Sequence, residues 1–128
     1  MKKFFALLLL SVLLVGCTTI SDTGWTRTEM YFGLLRRDKT PITEAEWEKF
    51  IEQVVTPRFP AGLTIFNGAG QWRNSSGRID REPSKVLVVL HPNNPSIDAK
   101  VDEVRRLYCE RFNQEAVMKV TSDARVAF

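Results

Sequence analysis

Two short apolar runs, at residues 30–35 (MYFGLL) and 86–90 (VLVVL), constrain the fold of this chain most strongly. A strand that is covered on one face alternates apolar and polar residues, whereas a strand that is buried on both faces is apolar almost continuously. Runs of this length are typical of strands rather than helices. We therefore predict strands at residues 28–35 and 85–91 and place both of them at the centre of a sheet.

A helix is predicted to begin after Thr43. Thr43 and Glu46 have the spacing of a capping box, and Ile42 and Trp47 occupy the two positions of a hydrophobic staple. The apolar residues that follow recur at helical spacing and define one buried face. That face contains Trp47, Phe50, Ile51, Val54 and Val55. Pro57 ends the helix, because the residue before a proline disfavours helical backbone.

A second helix is predicted to begin at residues 93–96 (NNPS), directly after the second apolar strand. Its apolar stripe contains Ile97, Val101, Val104, Tyr108 and Phe112. Charged residues occupy the opposite side, as expected for a helix with one face in water. Cys109 lies at the edge of the stripe, where we expect a small, buried hydrophobic residue.

Two further strands complete the pattern, one at residues 62–66 that continues unevenly to residue 73, and one at residues 116–121. The glycines within residues 67–70 indicate a bulge. The order β-α-β-β-α-β predicts an α+β, ferredoxin-like sandwich, with a four-stranded antiparallel sheet and two helices on one face. The other face is then left for a twin subunit, a partner protein or an apolar ligand.

The N-terminal segment has the three parts of a secretory signal, namely a charged start, an apolar stretch at residues 4–15 and a small residue before Cys17. The apolar stretch is shorter than the roughly 20 residues that a membrane-spanning helix requires. The segment resembles the signal peptide and lipobox of a bacterial lipoprotein. The resemblance implies a signal peptide at residues 1–16 and lipidation of Cys17.

The same resemblance implies attachment to a membrane of the cell envelope. Since Thr18 rather than Asp follows the cysteine, it favours the periplasmic side of the outer membrane. We assign residues 17–27 to a lipidated tether and residues 28–128 to a single domain.

Composition excludes several classes of function. The chain has 18 basic and 15 acidic residues, and Lys2 and Lys3 leave with the signal peptide, so the mature chain is close to neutral and we predict no nucleic-acid partner. One histidine, His91, does not make a metal site, and we expect it to cap the end of its strand. No zinc, phosphate-loop or hydrolase motif is present, so we predict no metal and no cofactor.

The densest polar cluster lies on the two arms of the predicted hairpin between the second and third strands. Gln71, Trp72 and Arg73 lie on one arm, and Arg81 and Glu82 lie on the other. Cross-strand neighbours stand close enough to form one surface. A tryptophan beside arginines is typical of interface anchors and of anion or sugar sites. We therefore name these residues as candidate binding residues, with no catalytic residue assigned.

Several segments together resemble a small bacterial family, the domain of unknown function 3574. They are residues 31–33 (YFG), Trp47 with residues 55–63 (VTPRFPAGL), residues 70–72 (GQW) and residues 81–85 (REPSK). The resemblance covers roughly residues 26–128. It implies a single secreted domain, and it supplies no substrate because the family has no established activity.

We expect a cell-envelope lipoprotein that acts by binding or assembly, through a homodimer or an envelope protein partner on the open sheet face. The alternative is a small cofactor-free enzyme of the dimeric α/β-barrel kind. Its pocket, on the open sheet face, would hold Tyr31, Trp72 and Glu82. A closed pocket with a carboxylate favours the enzyme, and a flat apolar face favours assembly.

The predicted anchor is tested by replacing Cys17. Cys17→Ala should move the protein from the membrane fraction to the soluble fraction, because no residue is left to carry the lipid. Cys109→Ala is the matched control and should stay with the membrane. Intact mass spectrometry of the wild-type chain should show an acylated N-terminus at Cys17, and an unmodified terminus further along the chain contradicts the prediction.

Overall fold

The structure of this chain is a computed structural model that describes residues 24–73 and 76–128. Its elements are β1 (Trp25–Gly33), α1 (Glu44–Phe50), a π-helical turn (Ile51–Val55), β2 (Thr64–Arg73), β3 (Ile79–Pro92), α2 (Pro95–Phe112) and β4 (Met118–Ala124). Within the described ranges, no helix is long and apolar enough to cross a membrane. The predicted signal peptide and Cys17 lie outside these ranges.

The four strands form one antiparallel sheet in the order β2-β3-β1-β4. Residues 30–33 of the first apolar run and all of the second lie in the central strands, β1 and β3, as predicted, whereas Leu34 and Leu35 follow the end of β1. The buried residues of both helices join one core with alternate residues of these strands. The prediction of a ferredoxin-like α+β sandwich is therefore confirmed.

Strand β1 begins at Trp25, inside the segment 17–27 that the sequence predicted to be a tether. Trp25 pairs with Pro92 of β3 and with Ala124 of β4. The polar residues of this segment resemble a linker, but strand pairing uses backbone groups and tolerates polar side chains at the end of a sheet. Strand β1 therefore includes residues 25–27, which the sequence prediction had left outside the strand.

Strand β2 pairs with β3 without interruption, so the bulge predicted from its glycines is absent. Its register with β3 is continuous from Thr64, which lies opposite Val88, to Arg73, which lies opposite Ile79. Gly68 has a different use, since a Cβ at this position would lie 2.8 Å from the hydroxyl oxygen of Ser84. The glycine makes room for a neighbouring side chain instead of breaking the ladder.

The capping box of α1 forms as predicted. The Thr43 hydroxyl accepts a hydrogen bond from the Glu46 backbone N–H, and the Glu46 carboxylate accepts one from the Thr43 backbone N–H. Ile42 and Trp47, the predicted staple pair, are both buried. The helix continues as the π-helical turn Ile51–Val55 rather than as α-helix, and this turn still buries the last two residues of the predicted apolar face.

The core lies between the helices and the sheet face that carries Met30 and Phe32. At its centre, the Tyr108 ring packs edge-to-face against Phe32, with ring centroids 4.8 Å apart, and against Phe50, with centroids 5.1 Å apart. This geometry is the favourable one for aromatic pairs. The predicted stripe of α2 is buried here except for Ile97, which is half-buried.

Three polar side chains of the described residues are also buried, Thr28, Lys85 and His91, and each has a partner. The ammonium of Lys85 donates to Glu44 at the start of α1 and to Asn67 of β2, each at 2.8 Å. The Nε2 atom of His91 lies 2.9 Å from the Thr28 hydroxyl, and its Nδ1 atom lies 2.9 Å from the carbonyl of Pro92. His91 therefore joins the ends of β1 and β3.

The core assignment predicts the effect of truncating Phe50. This side chain is fully buried among Phe32, Tyr108 and Phe112. Phe50→Ala should lower the free energy of unfolding by about 3–5 kcal/mol, as for other buried aromatic residues. Phe128→Ala removes a fully exposed ring and should have almost no effect. Chemical denaturation measures both, and a loss below about 1 kcal/mol for Phe50→Ala contradicts the core described here.

Candidate functional site

A cleft of about 670 Å³ lies at the end of the sheet where β1 ends and β4 begins. The β2–β3 hairpin forms one wall, and the loop that follows β1 forms the other together with residues 114–116 before β4. Its lining includes the side-chain types that the sequence pointed to, an aromatic residue and a carboxylate. Tyr31, Trp72 and Glu82 come together here, as the enzyme alternative expected.

The hairpin divides the five predicted binding residues between its two sides. Trp72 and Glu82 line the cleft, and Gln71 borders it. By strand register, Gln71, Arg73 and Arg81 alternate onto the side opposite Trp72 and Glu82. There the Arg81 guanidinium donates to the Gln71 side-chain oxygen at 3.4 Å. The sequence prediction grouped these residues because they are close in sequence. In a strand, however, successive side chains point to opposite faces, so neighbours in sequence lie on different surfaces.

Glu82 is held on the floor of the cleft by backbone groups. Its carboxylate accepts a hydrogen bond of 3.3 Å from the Leu35 N–H. It also lies directly over Gly33, where a Cβ would come within 2.9 Å of both carboxylate oxygens. This contact explains the glycine of the YFG segment at residues 31–33, because any larger residue at position 33 would overlap the Glu82 carboxylate.

Tyr31 is hydrogen-bonded to a second carboxylate beside the cleft, that of Glu29. Its hydroxyl donates to one oxygen of Glu29, and Arg27 donates to the other oxygen at 2.8 Å. The hydrogen bond from Tyr31, followed by that from Arg27, lowers the pKa of Glu29, while the bond to Glu29 raises the pKa of Tyr31. The sequence prediction missed this hydrogen-bonded group of Arg27, Glu29 and Tyr31. The spacing of two residues places all three side chains on one face of the strand.

Basic residues of the loop after β1 form the rim of the cleft. Arg36 is fixed, because its guanidinium donates to the carbonyl of Pro41 at 2.7 Å and to Glu46. Lys39 pairs with Asp80 across the cleft at 3.2 Å. Arg37 also lines the cleft, and across residues 24–73 and 76–128 no ion pair joins it to an acid. The sequence prediction did not include these residues, although the basic run Arg36-Arg37-Asp38-Lys39 is a feature that could have drawn attention to them.

The arrangement suits a small molecule with a flat part and polar groups. Ligand pockets typically measure about 300–1,000 Å³ and combine apolar walls with a few fixed polar groups. Trp72, which is 45% exposed, offers a ring face, while Glu82 offers acceptors and Arg37 a cation. In the part of the chain that the structure describes, no cluster of three or more His, Cys, Asp or Glu side chains is placed to hold a metal.

The fold and the cleft define a class: a ferredoxin-like α+β domain with an open sheet face and a cleft at one end. Within that class, the family model described as "Protein of unknown function (DUF3574)" matches residues 27–128. The chain therefore belongs to this family, and the resemblance seen in the sequence is confirmed. Among curated proteins, none matches the chain.

Solved structures share the fold at low sequence identity. A phage SAM lyase in complex with S-methyl-5'-thioadenosine is 18% identical with a TM-score of 0.64, over 78% of this chain and 81% of that one. The CutA protein from Synechococcus elongatus PCC7942 is 14% identical with a TM-score of 0.51, over 80% of this chain and 79% of that one. At these identities the likeness shows the fold alone.

The seat of Glu82 on Gly33 is tested by a double-mutant cycle. Gly33→Ala should displace the Glu82 carboxylate and lower the free energy of unfolding by about 1 kcal/mol. The loss should be no larger, because the crowded atoms lie at the end of a flexible side chain that can move. In a Glu82→Ala background, the same glycine substitution should cost nothing. Denaturation of the four proteins measures the coupling, and an interaction energy below about 0.3 kcal/mol contradicts the contact.

Proposed function

We propose that this chain is a cell-envelope lipoprotein whose domain binds a small molecule in the cleft. The observation that carries the proposal is the position of the Glu82 carboxylate, held by a backbone N–H on the floor of a 670 Å³ cleft that Trp72 and Tyr31 also line. A fixed carboxylate beside exposed aromatic rings is a polar recognition group in an apolar site. Membrane attachment through Cys17 is part of the proposal and is supported by the sequence of residues 1–17.

The cleft indicates the chemistry of its ligand. A planar ring stacked on Trp72 gains contact area and a favourable aromatic geometry. Hydroxyl or amino groups of the ligand can donate to Glu82, much as an acidic side chain accepts from a ribose in dinucleotide sites. A negatively charged group can pair with Arg37 at the rim. A nucleoside or a related heterocycle with a polar side group satisfies the first two requirements.

S-methyl-5'-thioadenosine is a suitable probe. It has a planar purine, a ribose diol and a thioether, and it is the ligand present in the phage SAM lyase whose fold this chain shares. The fold likeness does not transfer the site. The support for the probe comes from the aromatic ring and the carboxylate in this cleft.

Calorimetric titration with S-methyl-5'-thioadenosine tests the proposal. The wild-type chain should bind, and Trp72→Ala should weaken binding at least tenfold, since base–aromatic stacking contributes about 1–3 kcal/mol. Glu82→Gln should also weaken binding, because the ionised acceptor is lost. Arg73→Ala and Arg81→Ala are matched controls, because both residues lie on the opposite side of the same hairpin and outside the cleft, and these variants should bind like the wild type.

Absence of binding at millimolar probe contradicts a nucleoside-like ligand. Binding that survives both cleft substitutions but is lost in Arg73→Ala or Arg81→Ala moves recognition to the other side of the hairpin. Melting temperatures of all variants separate loss of binding from loss of folding.

A second candidate function is catalysis in the same cleft, and the fixed carboxylate is the observation that favours it. A carboxylate beside an apolar wall can act as a general base or can stabilise positive charge. Incubation with S-adenosylmethionine, followed by detection of S-methyl-5'-thioadenosine by mass spectrometry, distinguishes the two functions. Turnover that Glu82→Gln abolishes identifies an enzyme, whereas binding without turnover supports the binding module.

A further inference from the structure

The sheet face away from the helices carries exposed apolar side chains. Phe66, Leu90, Met118 and Val120 are 53%, 43%, 55% and 43% exposed, respectively. By strand register all four lie on the face opposite Met30 and Phe32, which point into the core. We call the surface formed by Phe66, Val86, Val88, Leu90, Met118 and Val120 the open face. In β1, Met30 and Phe32 face the helices, so Glu29 and Tyr31 lie on the face that the helices leave uncovered.

Strand register arranges the open face in rows that cross the whole sheet. The first row is Phe66, Val86, Tyr31 and Met118, and the second is Thr64, Val88, Glu29 and Val120. With strands about 4.8 Å apart, each row is roughly 15–20 Å wide. On this face, the apolar side chains lie on β2 and β3 to one side of β1 and on β4 to the other side. The polar groups are concentrated along β1 itself.

The polar groups of β1 are already paired with one another. Glu29 accepts hydrogen bonds from Arg27, at 2.8 Å, and from Tyr31. A charge can be covered at an interface when its partners come with it, whereas an unpaired charge opposes burial. Burial of the middle of the open face would therefore leave no charge of Arg27 or Glu29 without a partner.

We propose that a second copy of this chain covers the open face, sheet against sheet. The charge pattern fits a copy, because Arg27 and Glu29 lie two residues apart on the same strand face. A two-fold axis that passes between them sets Arg27 of each copy against Glu29 of the other. Such isologous contacts between identical patches are the commonest way in which soluble proteins pair. Two sheets packed in this way lie about 10 Å apart.

The open face is continuous with the cleft. Tyr31 and Met118 belong to the first row and also line the cleft. A second copy that covers this row therefore also borders the cleft and restricts its access to solvent. The pairing itself requires no ligand, so its test is independent of the proposed function.

Sedimentation velocity of the full chain in a density-matched detergent tests the pairing. At roughly 100 µM, well above a micromolar dissociation constant, the wild type should sediment as a dimer or larger assembly of this chain. Val120→Glu and Leu90→Glu each place a charge on the open face and should raise the dissociation constant at least tenfold. Thr121→Glu is the matched control, since it adds the same charge to the opposite face of β4, and should associate like the wild type.

Thermal melting of each variant monitors folding. A monomeric wild type overturns the proposal, and this is also the result expected if a lipid or a different protein occupies the open face. Equal loss of association in Val120→Glu and Thr121→Glu overturns it as well, because the effect then does not depend on the face. Association that only the two open-face variants weaken supports it, and the use of two strands guards against a variant that fails to fold.

Discussion

The packing of Tyr108 against β1 is the interaction on which the rest of the structure depends. Its ring contacts Phe32 and Phe50 at the centre of the core, and its hydroxyl donates to the carbonyl of Gly33 at 2.7 Å. Burial raises the pKa of Tyr108, so the hydroxyl remains a donor at all ordinary pH values. One side chain of α2 thereby fixes the end of β1, and Gly33 in turn supports the carboxylate of Glu82. The geometry of the cleft is an extension of the geometry of the core.

The sheet separates two different tasks on its two faces. The face toward the helices is closed by aromatic and aliphatic packing, and its buried polar groups, such as Lys85, are paired with neighbours. Among residues 24–73 and 76–128, no element covers the opposite face, and the polar groups of that face lie in a row along β1. Stability therefore comes from one face, and the other is available for recognition. This division explains how a domain of about a hundred residues can keep a complete core and still present a broad surface.

Much of the fold follows from local patterns in the sequence. The capping box at Thr43, the stripe through Tyr108 and the two apolar runs each depend on contacts within one element, so spacing alone identified them. The start of β1 at Trp25 and the uninterrupted pairing of β2 were not predicted from the sequence, because both depend on pairing with other strands. Glycines in β2 indicated a bulge, while the neighbouring side chain of Ser84 was the actual reason for Gly68.

The candidate site was predictable only in part, for the same reason. Trp72 and Glu82 were found through their chemistry, yet the grouping of Glu82 with Arg81 ignored the alternation of a strand. The rim residues Arg36 and Arg37 belong to a loop that reaches the hairpin only in the folded chain. Contacts of this kind have no signature in local spacing.

The early start of β1 also bears on the proposed attachment to a membrane. In a chain anchored at Cys17, only residues 18–24 separate the lipid from Trp25, and this spacer reaches at most roughly 25 Å. The cleft lies at the other end of β1, near Gly33, and a strand of nine residues spans about 30 Å. Under the proposed anchoring at Cys17, this length keeps the Trp25 end of the domain within roughly 25 Å of the bilayer and leaves the cleft at the opposite end of β1.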